Sequence, residues 1–176
     1  DDPRKGGAYL LKALRIICDE APQLMSRFTL ATFGSKGSFD PSTLPIEWIH
    51  VGRVTDDRVV RLLFQAADVF ACPSIDDVGP MMINEAFMCG TPVVAFDSGV
   101  APDLIRHPHQ GFVVGGFDVS QFARGLIKAA EITSAERARP EPSPGAPYCS
   151  PQRQADHYLK LFSELVTTPS SRASVE

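Results

Sequence analysis

Two carboxylates eight positions apart, Asp77 and Glu85, mark the part of this 176-residue chain where chemistry concentrates. They stand in PSIDDVGPMMINEAFMCGTPVVAF, residues 73–96, on either side of a Gly79-Pro80 turn. Pro80 suits the first position of a helix, where a missing N–H costs nothing. The apolar stretch that follows predicts a helix near 81–90, stopped by Cys89-Gly90-Thr91-Pro92 and followed by a strand near 92–96. The preceding strand, 68–72, ends at Pro73, so residues 74–79 form the loop at its carboxyl end, where open parallel sheets keep their ligand crevices. Asp77 then stands on the loop and Glu85 about one turn into the helix. Free main-chain amides of the first helical turn, Met81 and Met82 among them, face the same crevice and favour an anion there. Such an arrangement suits a polar ligand.

The elements that must position these residues alternate. Apolar residues at helical spacing, Tyr9, Leu10, Ala13, Leu14, Ile16 and Ile17, predict a first helix near 7–20, halted by Ala21-Pro22. Strands are expected at 28–33 and 48–51, separated by a loop rich in Gly, Ser and Pro over 34–45. A helix over 56–67, capped by Thr55 or Asp56, leads to the strand at 68–72. After the acidic loop come a short helix near 101–106, a strand at 111–114 and a helix near 119–132. Strands alternating with helices imply right-handed crossovers and one parallel sheet covered on both faces. The ordered domain is assigned to residues 1–133. Five prolines among Ser, Gly and Glu make 134–151 a linker or loop, 152–167 is expected to form a last helix that docks or crosses to a neighbour, and 168–176 a disordered tail.

Composition bounds the function. With 44% hydrophobic and 22% charged residues, the chain holds one full core and hardly two. A net charge of -4 argues against a broadly basic nucleic-acid surface, so no nucleic-acid partner is expected. Cys18, Cys72, Cys89 and Cys149 show no CxxC pairing and read as buried free thiols, which suits a reducing, cytoplasmic setting. His50, His107, His109 and His157 form no metal set, and one Asp-Asp with a remote Glu is a poor magnesium site, so no metal is expected. The chain opens on Asp1-Asp2-Pro3-Arg4, with neither an initiating methionine nor a strand, and reads as a piece of something longer.

The acidic segment resembles the donor-site signature of retaining family 4 (group 1) glycosyltransferases of the GT-B fold: Pro-Ser, an acid, seven intervening residues, Glu-Ala, then Gly-Thr-Pro-Val-Val. Other marks agree in order: Arg4-Lys5-Gly6, His50-Val51-Gly52-Arg53-Val54, Ala67-Asp68-Val69 and Gly111-Phe112-Val113-Val114, over roughly residues 3–130. The resemblance implies a Rossmann-like α/β fold, one GT-B half-domain, that binds a nucleoside diphosphate sugar. In it Glu85 takes the ribose hydroxyls, which a carboxylate with two acceptor oxygens can hold together. Lys5 binds the diphosphate and neutralises the leaving group, and Asp77 faces the donor sugar near its anomeric carbon, stabilising positive charge as the glycosidic bond loosens. Asp76 remains the alternative for that acid.

Gly52 and Arg53 fall at the turn where the nucleobase packs, Gly52 letting the backbone approach a flat ring. Arg53 is placed either on phosphate or in a surface salt bridge, and the loop at 34–37 resembles a weaker ligand-side loop. Two departures stand out. The first acid is Asp where the family most often has Glu, and Gly79-Pro80 replace an aromatic-Gly pair whose amides meet the sugar, Pro80 removing one donor.

The implied enzyme moves a sugar to a hydroxyl of a glycan, lipid or small molecule held by an amino-terminal acceptor domain. That half also leaves room for peripheral membrane contact. The resemblance implies transfer without a metal or other cofactor. The rival readings are a non-catalytic nucleotide-sugar module and a GT-B nucleotide-sugar epimerase.

Overall fold

The computed structural model describes residues 2–77, 81–132 and 151–167. A single 3-10 turn, Pro3–Lys5, leads through Gly6 into α1, Gly7–Glu20. Leu10, Ala13, Leu14 and Ile17 form the buried stripe of α1, the spacing that brings residues to one helix face. The chain then forms a 3-10 turn, Pro22–Arg27, that the sequence pattern did not announce. Next come β1, Thr29–Thr32; β2, Glu47–His50; α2, Asp57–Ala66; and β3, Phe70–Cys72. Beyond the acidic loop lie α3, Met81–Met88; β4, Val93–Phe96; α4, Ala101–Leu104; β5, Gly111–Val114; and α5, Val119–Ala130. A last helix, α6, spans Pro151–Thr167.

All strand pairs are parallel. β4 shows why the fold is two-sided. Its four residues are all buried, Val94 and Phe96 in a core with Ile17, Phe122 and Leu126, and Val93 and Ala95 in a second core with Phe64, Ile83 and Ile105. Successive side chains of a strand point to opposite faces, so an unbroken apolar run is what a doubly covered strand needs. Helices α1 and α5 pack together on the first face, while α2, α3 and α4 pack in sequence on the second. Burying a side chain such as Phe122 or Ile17 contributes roughly 1.5–3 kcal/mol. Gly111 permits the β4–β5 approach: its φ is 124°, and a Cβ there would lie 1.8 Å from the Val93 carbonyl oxygen.

The α/β class and the parallel pairing agree with the sequence, but the single sheet does not. The strands form two ladders, β1–β2 and β3–β4–β5, with no hydrogen bond between β1 and β3 among the described residues. Both still border one core, since Leu30 and Ile46 pack against the cluster that also takes Val94 and Ala71. The last helix, expected to dock or to cross to a neighbour, is not docked on any described residue. Tyr158, Leu159, Phe162 and Leu165 are exposed, because no described residue covers the apolar stripe they form.

Of the thiols among the described residues, Cys72 is buried, and Cys18 and Cys89 are half-buried; all three are free. Cys149, the linker, the tail and the Gly79-Pro80 turn lie outside the described residues. Among the described residues no helix is long and apolar enough to cross a membrane.

Two helix starts carry carboxylate caps. Asp56, rather than Thr55, caps α2 by accepting from the Arg58 amide at 2.9 Å, and Asp118 caps α5 by accepting from the Gln121 amide at 3.0 Å. The main-chain bond from Gln121, reinforced by its side chain, holds the Asp118 carboxyl below its usual range. A depressed folded-state value means the cap stabilises above the ordinary aspartate pKa of about 3.9 and loses that contribution as pH falls through the folded value. Asp118→Asn keeps a cap but removes the titration. Urea unfolding at pH 7 should change little, and the variant should lose less stability than the parent between pH 5 and pH 3.

Candidate functional site

The site begins with a close contact between the first turn and the exit of β3. Gly6 adopts φ 72°, and a Cβ on it would lie 1.7 Å from the Pro73 carbonyl oxygen, so no other residue fits without displacing backbone. The Ile75 amide donates to the Arg4 carbonyl at 2.9 Å, fixing the loop 73–75 along the turn. This places Lys5 beside Asp77, with the Lys5 Nζ donating to Asp77 Oδ2 at 2.5 Å across 72 positions of sequence. The lysine side chain is 63% exposed and the aspartate 18%, so the ammonium stands at the rim and the carboxylate lies mostly beneath it. Asp76 is exposed, and Asp77 is the acid turned to Lys5.

Arg4 adds a second cation to the cluster. Its guanidinium is held above its usual pKa by hydrogen bonding to Asp2, with the charges of Asp76 and Asp77 adding to the effect. Below the loop, burial raises the Cys72 thiol, partly offset by hydrogen bonds with Ser74, which keeps the floor of the site uncharged.

On α3, Ile83 and Ala86 face the core while Met81, Met82 and Glu85 are exposed. Glu85 is thus on the outward face, one turn after Met81, with no side-chain partner among the described residues. Its neighbour Asn84 is half-buried, and its side-chain oxygen is buried without a hydrogen-bond partner among them. The main-chain groups at the start of α3 adjoin residues 78–80, which lie outside the described residues, and with them the consequence expected of Pro80.

The turn after β2 is built as the sequence suggests. Gly52 has φ 80° with open space where a Cβ would stand, and its carbonyl accepts from the Gly34 amide at 2.7 Å, joining the loops that follow β1 and β2. Arg53 is exposed and makes no salt bridge among the described residues. Lys36, in the loop after β1, lies 4.5 Å from the Trp48 ring centroid. The structure therefore brings Lys5 and Asp77 into contact and sets Gly52 and Arg53 at the exit of β2, in the other parallel ladder. No group of three or more His, Cys, Asp or Glu side chains among the described residues could hold a metal ion.

Two features escaped the sequence. Gly6 was read only as part of an Arg-Lys-Gly mark, because its fit against Pro73 depends on a residue 67 positions away. An aromatic group at the exits of β4 and β5, Tyr9 edge-on to Phe96 at 5.5 Å and Phe117 edge-on to Phe96 at 5.4 Å, was also missed. Phe117 has the positive φ of 54°, directly after Gly115-Gly116, and that Gly-Gly-Phe run was the available signal.

Parallel strands, helices on both faces and a polar rim at the strand exits define a Rossmann-like α/β domain. The chain belongs to the family of glycosyl transferases group 1, whose profile matches residues 1–131. It is 32% identical over 138 residues to a D-inositol 3-phosphate glycosyltransferase of Streptomyces scabiei, which covers 70% of this chain and 30% of that protein. Its fold is shared with a UDP-forming trehalose-phosphate synthase from Burkholderia xenovorans at a TM-score of 0.68 and 20% identity, covering 95% of this chain and 43% of the other. It is shared too with the Anabaena HepE protein in complex with UDP-glucose, at a TM-score of 0.62 and 24% identity over 91% of this chain and 46% of that one. The chain thus spans less than half the length of each.

Because the site hangs on the Gly6 contact, Gly6→Ala should be costly. The left-handed backbone alone disfavours a Cβ by about 1–2 kcal/mol, and the clash with Pro73 adds to that. Gly34→Ala, at φ 97° with open space around it, should show only a backbone cost of about 1 kcal/mol. Urea unfolding of both variants separates the two contributions, and equal losses would mean that the Pro73 contact is easily relieved.

Proposed function

We propose that this chain is the donor-binding half of a retaining glycosyltransferase that takes a sugar from a nucleoside diphosphate. The observation that carries the reading is the meeting of Lys5 with Asp77 at the carboxyl end of β3, 2.5 Å apart and drawn from positions 72 residues apart in sequence. Open α/β sheets take ligands at this edge, where the order of strands reverses. A cation at the rim suits a diphosphate there, and a carboxylate beside it suits the sugar.

The reaction breaks the bond between the anomeric carbon and the diphosphate oxygen, which departs with the electron pair. An acceptor oxygen bonds to that carbon, and its hydroxyl proton passes to the departing diphosphate. Lys5 moves from Asp77 to the phosphates, where its charge lowers the barrier as negative charge gathers on the leaving group. Asp77, released from the ammonium, faces the developing positive charge on the sugar. Glu85, exposed on α3, holds the ribose hydroxyls, and the Met81 and Met82 amides add donors for the anion. Gly52 and Arg53 border the base. Transfer runs without a metal, the ammonium and amides doing the neutralising.

The acceptor half is supplied by further chain, as the larger size of the relatives supports. The Anabaena complex makes a uridine diphosphate sugar the first donor to try, and the Streptomyces relative makes an inositol phosphate the first acceptor. Free thiols at Cys18, Cys72 and Cys89 favour a reducing, cytoplasmic setting.

Calorimetry with UDP, GDP and ADP tests the binding reading. At least one should bind at millimolar concentration, and Glu85→Gln should weaken it by about 1–3 kcal/mol, the usual worth of a hydrogen bond to a charged group. Glu85 is exposed, so its melting temperature should hold. No heat with any of the three nucleotides would overturn the site assignment.

In the full-length enzyme, Asp77→Asn should lower kcat far more than donor affinity, because its charge matters most in the transition state. Equal losses in both would reduce Asp77 to a binding group.

A further inference from the structure

We infer that the ring of the transferred sugar lies against an aromatic notch of Tyr9 and Phe117, with Phe117 as its stacking partner, a placement that rests on the donor-binding reading above.

The notch is built on a buried ring. Phe96, the last residue of β4, is 1% exposed, and two rings stand edge-on to it, Tyr9 of α1 at 5.5 Å and 77° and Phe117 at 5.4 Å and 86°. Those two are 6.5 Å apart with 57° between their planes, so they form an open wedge rather than a stack. Lys12 lies over the Tyr9 ring, its Nζ 5.9 Å from the centroid, whereas no ring lies flat on Phe117 among the described residues. Phe117 is 39% exposed. The Tyr9 hydroxyl has no hydrogen-bond partner among the described residues.

Packing alone does not account for Phe117. Its φ is 54°, and among the described residues no other side chain larger than hydrogen is carried at a positive φ. Bulky residues are disfavoured there because the Cβ crowds the following carbonyl, whereas glycine, present at the two preceding positions, adopts such angles freely. The conformation is imposed from both sides. Before it, the Val114 carbonyl accepts from the Asp97 amide at 2.9 Å; directly after it, Asp118 caps α5. A ring held in a disfavoured backbone state and left more than a third open to water recovers only part of what burial could return. Strain of this kind collects where ligands are held.

Position selects the ligand. Phe96 ends β4 and Phe117 follows β5 by three residues, on the same edge at which Lys5 meets Asp77 beyond β3. Tyr9 belongs to the first turn of α1, its amide donating to the Gly6 carbonyl at 2.9 Å, and so stands about one turn from Lys5. The base borders Gly52 and Arg53 in the other ladder, the diphosphate meets Lys5, and the anomeric carbon meets Asp77. The next group of the donor is the sugar ring, and the strands next to β3 are β4 and then β5. A pyranose fits the notch in kind. It offers a face of C–H groups to an aromatic ring and a rim of hydroxyls, one of which the Tyr9 hydroxyl can bond. A nucleobase would stack as well, but the donor carries only one, and it is held beyond β2.

Phe117→Gly separates the ring from the fold, since glycine accepts φ 54° and keeps the turn. Calorimetry on the protein compares UDP with UDP-glucose, GDP with GDP-mannose and ADP with ADP-glucose. For the preferred base, Phe117→Gly should weaken the sugar ester by about fivefold, the scale of one aromatic contact, and the bare diphosphate by less than about twofold. Tyr9→Phe keeps the ring contacts and removes only the hydroxyl, so it decides the matter should Phe117→Gly prove unstable: it too should weaken the ester and spare the diphosphate. Equal weakening of ester and diphosphate would make the notch a support of the nucleotide site, and no change in either would make it packing; both results overturn the inference. If no nucleotide binds to the parent, the donor reading falls, and the notch is then tested alone by saturation transfer from the protein to methyl α-D-glucopyranoside. Transfer to the sugar ring protons that Phe117→Gly abolishes upholds a sugar-stacking site, and its absence overturns that site too.

Discussion

The approach of Gly6 to the Pro73 carbonyl is the constraint on which the rest of the site depends. It is a steric condition rather than an attractive one. Only a residue without a Cβ lets the first turn settle against the exit of β3, and only then do the Ile75 amide and the Arg4 carbonyl meet. Lys5 and Asp77 are consequences of that seating. An ion pair with one partner 63% exposed contributes about 0–1 kcal/mol, too little to hold two segments in register. Packing sets the position and charge exploits it. The same division suits a ligand site, since a weak pair is readily exchanged for a stronger anion.

Behind the rim stands a two-sided core. β4 separates an α1/α5 layer from an α2/α3 layer, with Phe96 and Phe122 on one side and Phe64 and Ile83 on the other. Both layers reach the functional edge. Tyr9 of α1 and Phe117 beyond β5 close around Phe96, and the Thr91 hydroxyl donates to the Phe64 carbonyl at 2.5 Å, tying the end of α3 to the end of α2. The helix bearing Glu85 is thereby clamped at its far end, while its near end adjoins the acidic loop. A site made from loops needs such rigid supports beneath it.

Much of this was legible in the sequence because the signals were local. The stripe of α1, the Gly90-Thr91-Pro92 stop and the apolar run of β4 each depend on neighbours within a few positions, and their elements fall within two residues of expectation. The seven-residue gap between Asp77 and Glu85 indicated a loop followed by a helix for the same reason. What failed was non-local. Whether β1 pairs with β3 is a question about chain partners, which periodicity cannot answer. The apolar stripe of α6 indicated a helix but not what covers it, because a stripe reports a need for a partner and not where the partner lies. That Gly6 faces Pro73 was invisible too, since a glycine at a helix start has several local explanations.

The distance along the chain between the two sides of the Gly6–Pro73 contact has a bearing on how the protein is made. During synthesis the turn at residues 3–6 emerges before its seat, which is not available until some seventy further residues have left the ribosome. Closing so long a loop is not thermodynamically prohibitive, because each doubling of loop length adds only about 0.6 kcal/mol. It is a matter of timing: contacts between distant positions slow folding far more than they weaken the folded state. The Lys5–Asp77 rim is therefore among the late features to form, and a nascent chain acquires its helices well before it acquires that contact.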